Sequence, residues 1–267
     1  MTKTSATTKK NLPATGNEKK QLPANVNYAV GGPSGFEGSS REDFAIPMLR
    51  IIQRMSPQLT KSDPQYIKGA VAGMILNTAT SELYAADEGI LVIPGLYKRT
   101  FLEFVLRENG GGFRGEHSIE AAAAINTERD EKGREIMENG NQLVETATYG
   151  VLLLGEGGTC MPAVLTMAST QLKKARRWNT AMQQMMMKEA VDHGGAGFPM
   201  YAHVWKLTTT EEQNDKGVWD GWVIEHAGML HEVVGEKRAQ DTLTQARLFA
   251  ESMRAGNVKA KYDDADH

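Results

Sequence analysis

Residues 143–167 read LVETATYGVLLLGEGGTCMPAVLTM, and their pattern decides the fold class. Leu143 to Leu154 is rich in β-branched, aromatic and leucine side chains, which fit a pleated strand. Gly155-Glu156-Gly157-Gly158 is a turn cluster, and Ala163-Val164-Leu165-Thr166-Met167 returns as a second apolar run. Two such runs around a Gly-rich break predict a β-hairpin. No lysine occupies the phosphate-loop position after these glycines, so they read as a turn and not as a nucleotide cradle.

Downstream of the hairpin, Ser169 or Thr170 is placed to cap a helix running to about Asp192, with Gly194-Gly195 as the stop. Residues 199–209 and 218–226 predict a strand pair joined by a polar connection over 210–217. A last helix is expected from Glu236 to Arg254, carrying Leu243, Ala246, Leu248, Phe249 and Met253, and closed by Gly256-Asn257. Upstream, order is expected from near Phe44. Pro47 to Gln53 predicts a strand broken by Ser56-Pro57, with further strands at 71–76, 90–94 and 100–106; Gly110-Gly111-Gly112 ends the last. Residues 115–141 are charged and turn-rich, and predict an excursion from the core with one short helix over Ile119 to Ile125.

Many strands, few helices and Gly-rich turns predict a mixed, mainly β fold with inserted helices and a barrel-like core, of which the oligonucleotide-binding (OB) barrel is a well-known example. The expected organisation is a disordered basic arm over 1–42, a domain over 43–256 and a flexible acidic tail over 257–267. The arm holds Lys3, Lys9, Lys10, Lys19 and Lys20 against Glu18 among polar residues, too little apolar surface to offset ordering entropy. The 267 residues are 40% hydrophobic and 24% charged, enough for a substantial core. No run approaches the roughly 18 apolar residues of a membrane helix, and the N-terminus lacks a secretory apolar stretch. The one cysteine, Cys160, forms no internal disulfide. A reducing, cytoplasmic setting is therefore expected. A net charge of −3 excludes coating a polyanion by bulk charge, so the distribution of charge matters more than its total.

The densest charge is Ser169-Thr170-Gln171-Leu172-Lys173-Lys174-Ala175-Arg176-Arg177-Trp178-Asn179, with no acid before Glu189. On a helix, Lys173 and Arg177 lie one turn apart, as do Lys174 and Trp178, while Leu172, Ala175, Met182, Met185 and Met186 fall on the other side. Cations at a helix N-terminus oppose the macrodipole, so helix stability does not explain them and an anionic ligand does; a solvated charged face is the plainer alternative. Tyr201, Trp205, Trp219 and Trp222 gather in or beside one predicted hairpin. Side chains alternate along a strand, so Trp219 and Trp222 face opposite ways. Exposed aromatics beside cations are what single-strand binders stack bases on, whereas buried ones are core. Asp263, Asp264 and Asp266 form an acidic end suited to competing with nucleic acid or docking on a basic partner. His226 and His231 with Glu225 and Glu232 match no common metal-ligand spacing. No acid–base pair, catalytic residue, metal or cofactor is assigned.

Several pieces resemble a group of proteins of T7-like and related tailed phages that carry a single-stranded DNA-binding label. They are Ile46-Pro47-Met48-Leu49-Arg50-Ile51-Ile52-Gln53, Met55-Ser56-Pro57, Asn77-Thr78-Ala79-Thr80, Gly111-Gly112-Phe113, the Thr170-to-Asn179 run and the Trp219-to-Trp222 hairpin. The resemblance implies an OB barrel, an acidic tail that contacts replication proteins, and a homodimer. This chain ends Asp266-His267, without the terminal aromatic of that class, and its greater length implies inserts. The expected function is that of a sequence-tolerant binder of single-stranded DNA in phage replication or recombination. Lys173, Lys174, Arg176 and Arg177 would hold phosphate with Arg50, Lys98 and Arg99, and Trp178, Trp205, Trp219 or Trp222 would stack bases. The alternative is a phage structural or host-interaction protein using the same surface.

Overall fold

The computed structural model describes residues 35–38, 46–155, 158–195, 197–215 and 217–256. The chain divides after Phe44 into two units, and the first contributes only residues 35–38, where the Gly35 amide donates to the Glu37 carboxylate. The second unit carries the strands and helices. The expected basic arm lies outside the described residues apart from its stretch at 35–38, and the acidic tail lies wholly outside them.

The strands are β1 (Met48–Ile51), β2 (Ile75–Asn77), β3 (Leu83–Tyr84), β4 (Ile90–Phe104), β5 (Phe113–His117), β6 (Thr127–Arg129), β7 (Glu135–Met137), β8 (Gln142–Leu154), β9 (Cys160–Ala168), β10 (His203–Asn214) and β11 (Gly217–Met229). The helices are α1 (Ile119–Ala123), α2 (Leu172–Asp192), α3 (Leu230–Val234) and α4 (Glu236–Arg254). All eleven strands join one sheet, whose main path runs β11-β10-β4-β8-β9-β1-β2-β3. The residue 143–167 hairpin sits at its centre as β8 and β9, registered from Thr146↔Ala168 to Leu154↔Cys160. Every pairing is antiparallel except β1 with β9, which is parallel through Met48↔Val164 and Leu49↔Leu165.

The sheet curls into a half-barrel, and side chains link its ends. The Gln53 carboxamide, just beyond β1, donates to the Asp220 carbonyl of β11 at 2.9 Å and accepts from the Asp220 amide at 3.0 Å. That two-way bond imitates one rung of a strand ladder. The Thr209 hydroxyl of β10 adds a bond to the Gly73 carbonyl before β2. A barrel-like, mainly β core with inserted helices is thus observed.

Strand alternation separates two apolar layers. Leu49, Ile75, Val92, Tyr149, Leu165, Leu207 and Trp222 come from seven different strands and pack with Ala175, Trp178 and Met182 of α2. A cluster drawing on so much of the curl lies inside it, so α2 fills the interior. The second layer uses only Ile93, Leu152 and Val204 of the sheet, covered by Leu230 of α3 and by Ala246 and Phe249 of α4; it is the outer face. Gly95 and Gly150 let α4 come close: a Cβ at Gly95 would lie 3.2 Å from Phe249, and one at Gly150 2.7 Å from Met253.

Three sequence expectations change. Residues 90–94 and 100–106 are not separate strands but parts of β4, which runs on through a bulge between Pro94 and Leu96. Proline has no N–H for the ladder, and a bulge accommodates that gap. Residues 115–141 are no excursion, because β5 pairs with β4 and β7 pairs with β8. Neither Ser169 nor Thr170 caps α2 with its side chain; residues 169–171 form a 3-10 turn leading into the helix, entered through Ser169 at φ +50°.

Candidate nucleic-acid interface

Helix α2 is seated in the barrel by its apolar stripe. Ala175, Trp178 and Met182 are buried, Leu172 and Met185 are half-buried beside them, and the Tyr149 hydroxyl lies 2.9 Å from Asn179 Oδ1 and 3.1 Å from the Ala175 carbonyl. Burial of this phenol pushes its pKa up, so it stays a neutral hydrogen-bonding group. With the stripe inward, Lys173, Arg176 and Arg177 are exposed. Arg176 keeps 71% of its side chain in solvent and lies 3.7 Å from Glu145, the carboxylate that also holds Arg99 of β4 at 2.8 Å. Two regions far apart in sequence, Arg99 and the α2 run, are thereby brought together.

Lys174 behaves differently from its neighbours. Its ammonium ion pairs with Glu212 of β10 and donates to the Trp222 carbonyl at 2.6 Å, while Gln171 accepts from the Trp222 amide at 3.0 Å. A Cβ at Gly221 would lie 2.7 Å from the Lys174 nitrogen and 2.8 Å from the Gln171 amide nitrogen, so glycine there lets the start of α2 reach the strand. Lys174, expected to hold phosphate, clamps the outer edge of β11 in this structure. Asp220 and Trp222 both present their backbone groups to that edge, the first met by Gln53 and the second by Gln171 and Lys174. By the two-residue period of a strand, Ile224 is the next residue to present its N–H and C=O outward.

The remaining candidates are dispersed. Lys98 pairs with Glu116 of β5, and Arg50 is half-buried in β1 between β2 and β9. Trp178, Trp205 and Trp222 are only 2%, 3% and 3% exposed. This corrects the expectation that they offer open ring faces for stacking, because the curl of the sheet turns them into the core. Trp219, on the opposite side of β11 from Trp222, is half-buried and donates its indole N–H to Glu212 at 3.0 Å. The rings form a column that ends at the exposed His226: Tyr149 lies 4.4 Å from Trp178, Trp178 5.8 Å from Trp205, and Trp205 5.2 Å from His226.

Between α2 and the β10–β11 edge lies a cleft of about 390 Å³. Trp178, Trp205, Trp222, Ala181 and Ile224 wall it, with Lys174 and Arg177 at its rim. A shallower groove of about 350 Å³ runs alongside, lined by Lys173, Arg176, Arg177, Thr180 and Gln184, so Arg177 stands on the ridge between the two. The indole nitrogens of Trp178 and Trp205 are buried without a hydrogen-bond acceptor. An unsatisfied buried donor costs about 1–3 kcal/mol, and native cores carry few of them.

Sequence reasoning missed the residues that join elements here, namely Gln53, Gln171, Glu145 and Glu212. Their only signal was polar character on otherwise core-forming segments. It also gave no sign of the partner of His226. His226 Nε2 lies 3.2 Å from His203 Nδ1, and His203 Nε2 lies 3.0 Å from Glu189 of α2. Burial, and then the neighbouring His203, hold His226 below its ordinary pKa. Among the described residues no three or more His, Cys, Asp or Glu side chains converge as a metal site, and no helix is long and apolar enough to cross a membrane.

The family described as Pam3 phage gp34-like protein matches residues 16–259. The chain belongs to that family. It is thus a phage protein, as the resemblance implied, and the match spans the half-barrel, α2 and α4 together. No curated protein matches the chain, and no solved structure does.

Proposed function

We propose that this half-barrel binds single-stranded DNA with little regard to sequence, as an OB-type platform serving phage DNA replication or recombination. One observation carries the reading. Lys173, Arg176 and Arg177 are held exposed on a helix whose first turns disfavour cations, beside a groove and an aromatic-walled cleft. Phosphates would lie along the groove, with Arg99 joining from β4 when a phosphate displaces Glu145. Lys174 is left out because Glu212 and the β11 edge engage it. Association is driven by release of counterions from the strand and by base contacts, and no bond is made or broken. The acidic residues Asp263, Asp264 and Asp266 would recruit replication proteins or contend for the same cations.

A gel-shift series with labelled single strand, duplex and RNA across a salt range tests the reading. Retardation of a 30- to 40-nucleotide single strand, a length of roughly two or more sites, should appear at low salt and fade as salt rises. No retardation at low salt would overturn it and leave the cationic ridge as a protein-contact surface.

A further inference from the structure

The geometry points to a slot in the cleft between α2 and the β11 edge that admits a single nucleobase and reads a carbonyl oxygen on it. This rests on the single-strand reading above and goes beyond it. Cations alone would make the protein indifferent to the base, whereas the slot gives it a preference for thymine-like, carbonyl-bearing bases.

The chemistry of the lining selects the ligand. Trp178, Trp205, Trp222, Ala181 and Ile224 supply a mostly apolar wall, which favours a flat ring over a hydrated sugar or an ion. The polar groups are weighted towards donors. The indole N–H groups of Trp178 and Trp205 are buried without acceptors, and Ile224 adds a strand-edge N–H and C=O. The carboxylate at the rim, Glu212, is engaged by Lys174 and by Trp219. A ligand that answers these donors must itself carry acceptors beside one N–H, and a pyrimidine with two carbonyl oxygens flanking an N–H does so. Its phosphate would emerge at Arg177, which lines both the cleft and the groove. At about 390 Å³, the cleft lies near the lower end of ordinary ligand sites, roughly 300–1,000 Å³, and accommodates one nucleotide and not a stack of them. Because the indole nitrogens are buried, the walls must part on entry. The hydrogen bonds regained are what makes that opening favourable.

Stacking and hydrogen bonding are separated by an isosteric base. A short oligothymidylate of about six nucleotides, within the roughly 4–16 of one barrel site, is compared by fluorescence anisotropy with the same length built from difluorotoluene nucleotides. These keep thymine's shape but accept hydrogen bonds poorly. A third probe of the same length carries abasic sites. With the full chain, the isostere should bind about 5- to 10-fold more weakly than thymine, the equivalent of about one hydrogen bond. In the Trp178→Phe, Trp205→Phe double variant, which keeps an aromatic ring at each position and removes both N–H groups, that gap should fall below about twofold, as a double-mutant cycle requires. Equal binding of thymine and isostere to the unaltered protein would overturn the slot and leave the DNA reading intact. So would a gap that persists in the double variant, because the carbonyl would then be read elsewhere. If none of the probes binds, nor any longer strand, the DNA reading itself falls.

Discussion

Replacing Arg177 by Gln removes one charge from the ridge between groove and cleft without touching the core, and its effect on salt dependence can be worked from the structure. Of the four cations in the α2 run, Lys174 is neutralised by Glu212 and Arg176 is loosely shared with Glu145. Among the described residues, Lys173 and Arg177 have no ion-pair partner. About three cations therefore remain for phosphate, and at about 0.7 counterions released per contact the slope of log K against log salt should be about −2. Arg177→Gln should lower it to about −1.4. Between 50 and 200 mM salt, affinity should then fall about 18-fold for the unaltered chain and about 7-fold for the variant. Anisotropy titrations of a labelled oligothymidylate measure both slopes, and urea unfolding verifies that stability moves by no more than about 0.5 kcal/mol, as expected on a solvent face. Lys174→Gln is the internal contrast: it should leave the slope near −2 on the same estimate while loosening the β11 edge. If Arg177→Gln leaves the slope unchanged, or Lys174→Gln reduces it as much, the division between free and engaged cations is refuted.

Gln53→Ala deletes both bonds that link β1 to β11; at about 0.5–1.5 kcal/mol each, urea unfolding should show a loss of about 1–3 kcal/mol, and a loss under about 0.5 would mean the ends of the sheet are held by other contacts. Trp178→Phe should cost less than about 1 kcal/mol, far below the roughly 3–5 of a Trp→Ala cavity, because the ring volume is largely kept and an orphaned donor leaves; a loss above about 2 kcal/mol would show that this N–H is satisfied, for example by ordered water. His226 is held below its ordinary value of 6.5 in the fold, first by burial and then by His203, with Glu232 and Glu189 partly offsetting this. As pH falls through about 6.5 the unfolded chain takes up the proton first, so stability is full above that pH and declines below it. The effect is shallow because His226 is largely exposed, and His226→Gln should flatten the Tm profile between about pH 5 and 7.

The core of this fold was legible because its pattern is local. The β8–β9 hairpin, the β10–β11 pair, α2 and α4 all announce themselves through apolar periodicity and flanking glycines. What stayed hidden depends on contacts between distant segments. Strands β6 and β7 are three residues each and pair through Arg129, Thr127 and Glu135, a composition that reads as loop. The four cations of α2 look equivalent in sequence, and only the position of Glu212 on β10 distinguishes Lys174. Alternation correctly set Trp219 and Trp222 on opposite sides of β11, but the curl that buries Trp205 and Trp222 brings together segments far apart in sequence, such as Gln53 and Asp220, which no local pattern encodes. The basic arm and the acidic tail were read from composition and fall outside the described residues apart from 35–38.

Net charge and surface charge give different accounts of this chain. At −3 overall it meets a polyanion only where cations escape their own acids. Arg54 is held by Glu211, Lys98 by Glu116, Arg99 by Glu145, and Arg134 by both Glu108 and Asp130. Beside the groove and the cleft stands a ridge of three residues on α2, supporting about three phosphate contacts, and non-specific binding of that kind is weak at physiological salt. The bases must therefore contribute if the chain is to hold a single strand against competition, and Trp178, Trp205 and Trp222 offer no open ring for stacking because they are buried. The cleft that those rings wall is the place where a base can add affinity, and hydrogen bonding to the orphaned indole donors is the chemistry it offers. The two contributions respond to different ligands. An abasic strand engages the α2 cations alone and should bind with the full salt slope but reduced affinity. A thymine strand adds a largely salt-independent increment, because entry of a neutral base into the cleft releases few counterions. Binding curves for the two strands should therefore run parallel on a log–log salt plot. Convergence at low salt would mean that phosphate alone accounts for the affinity.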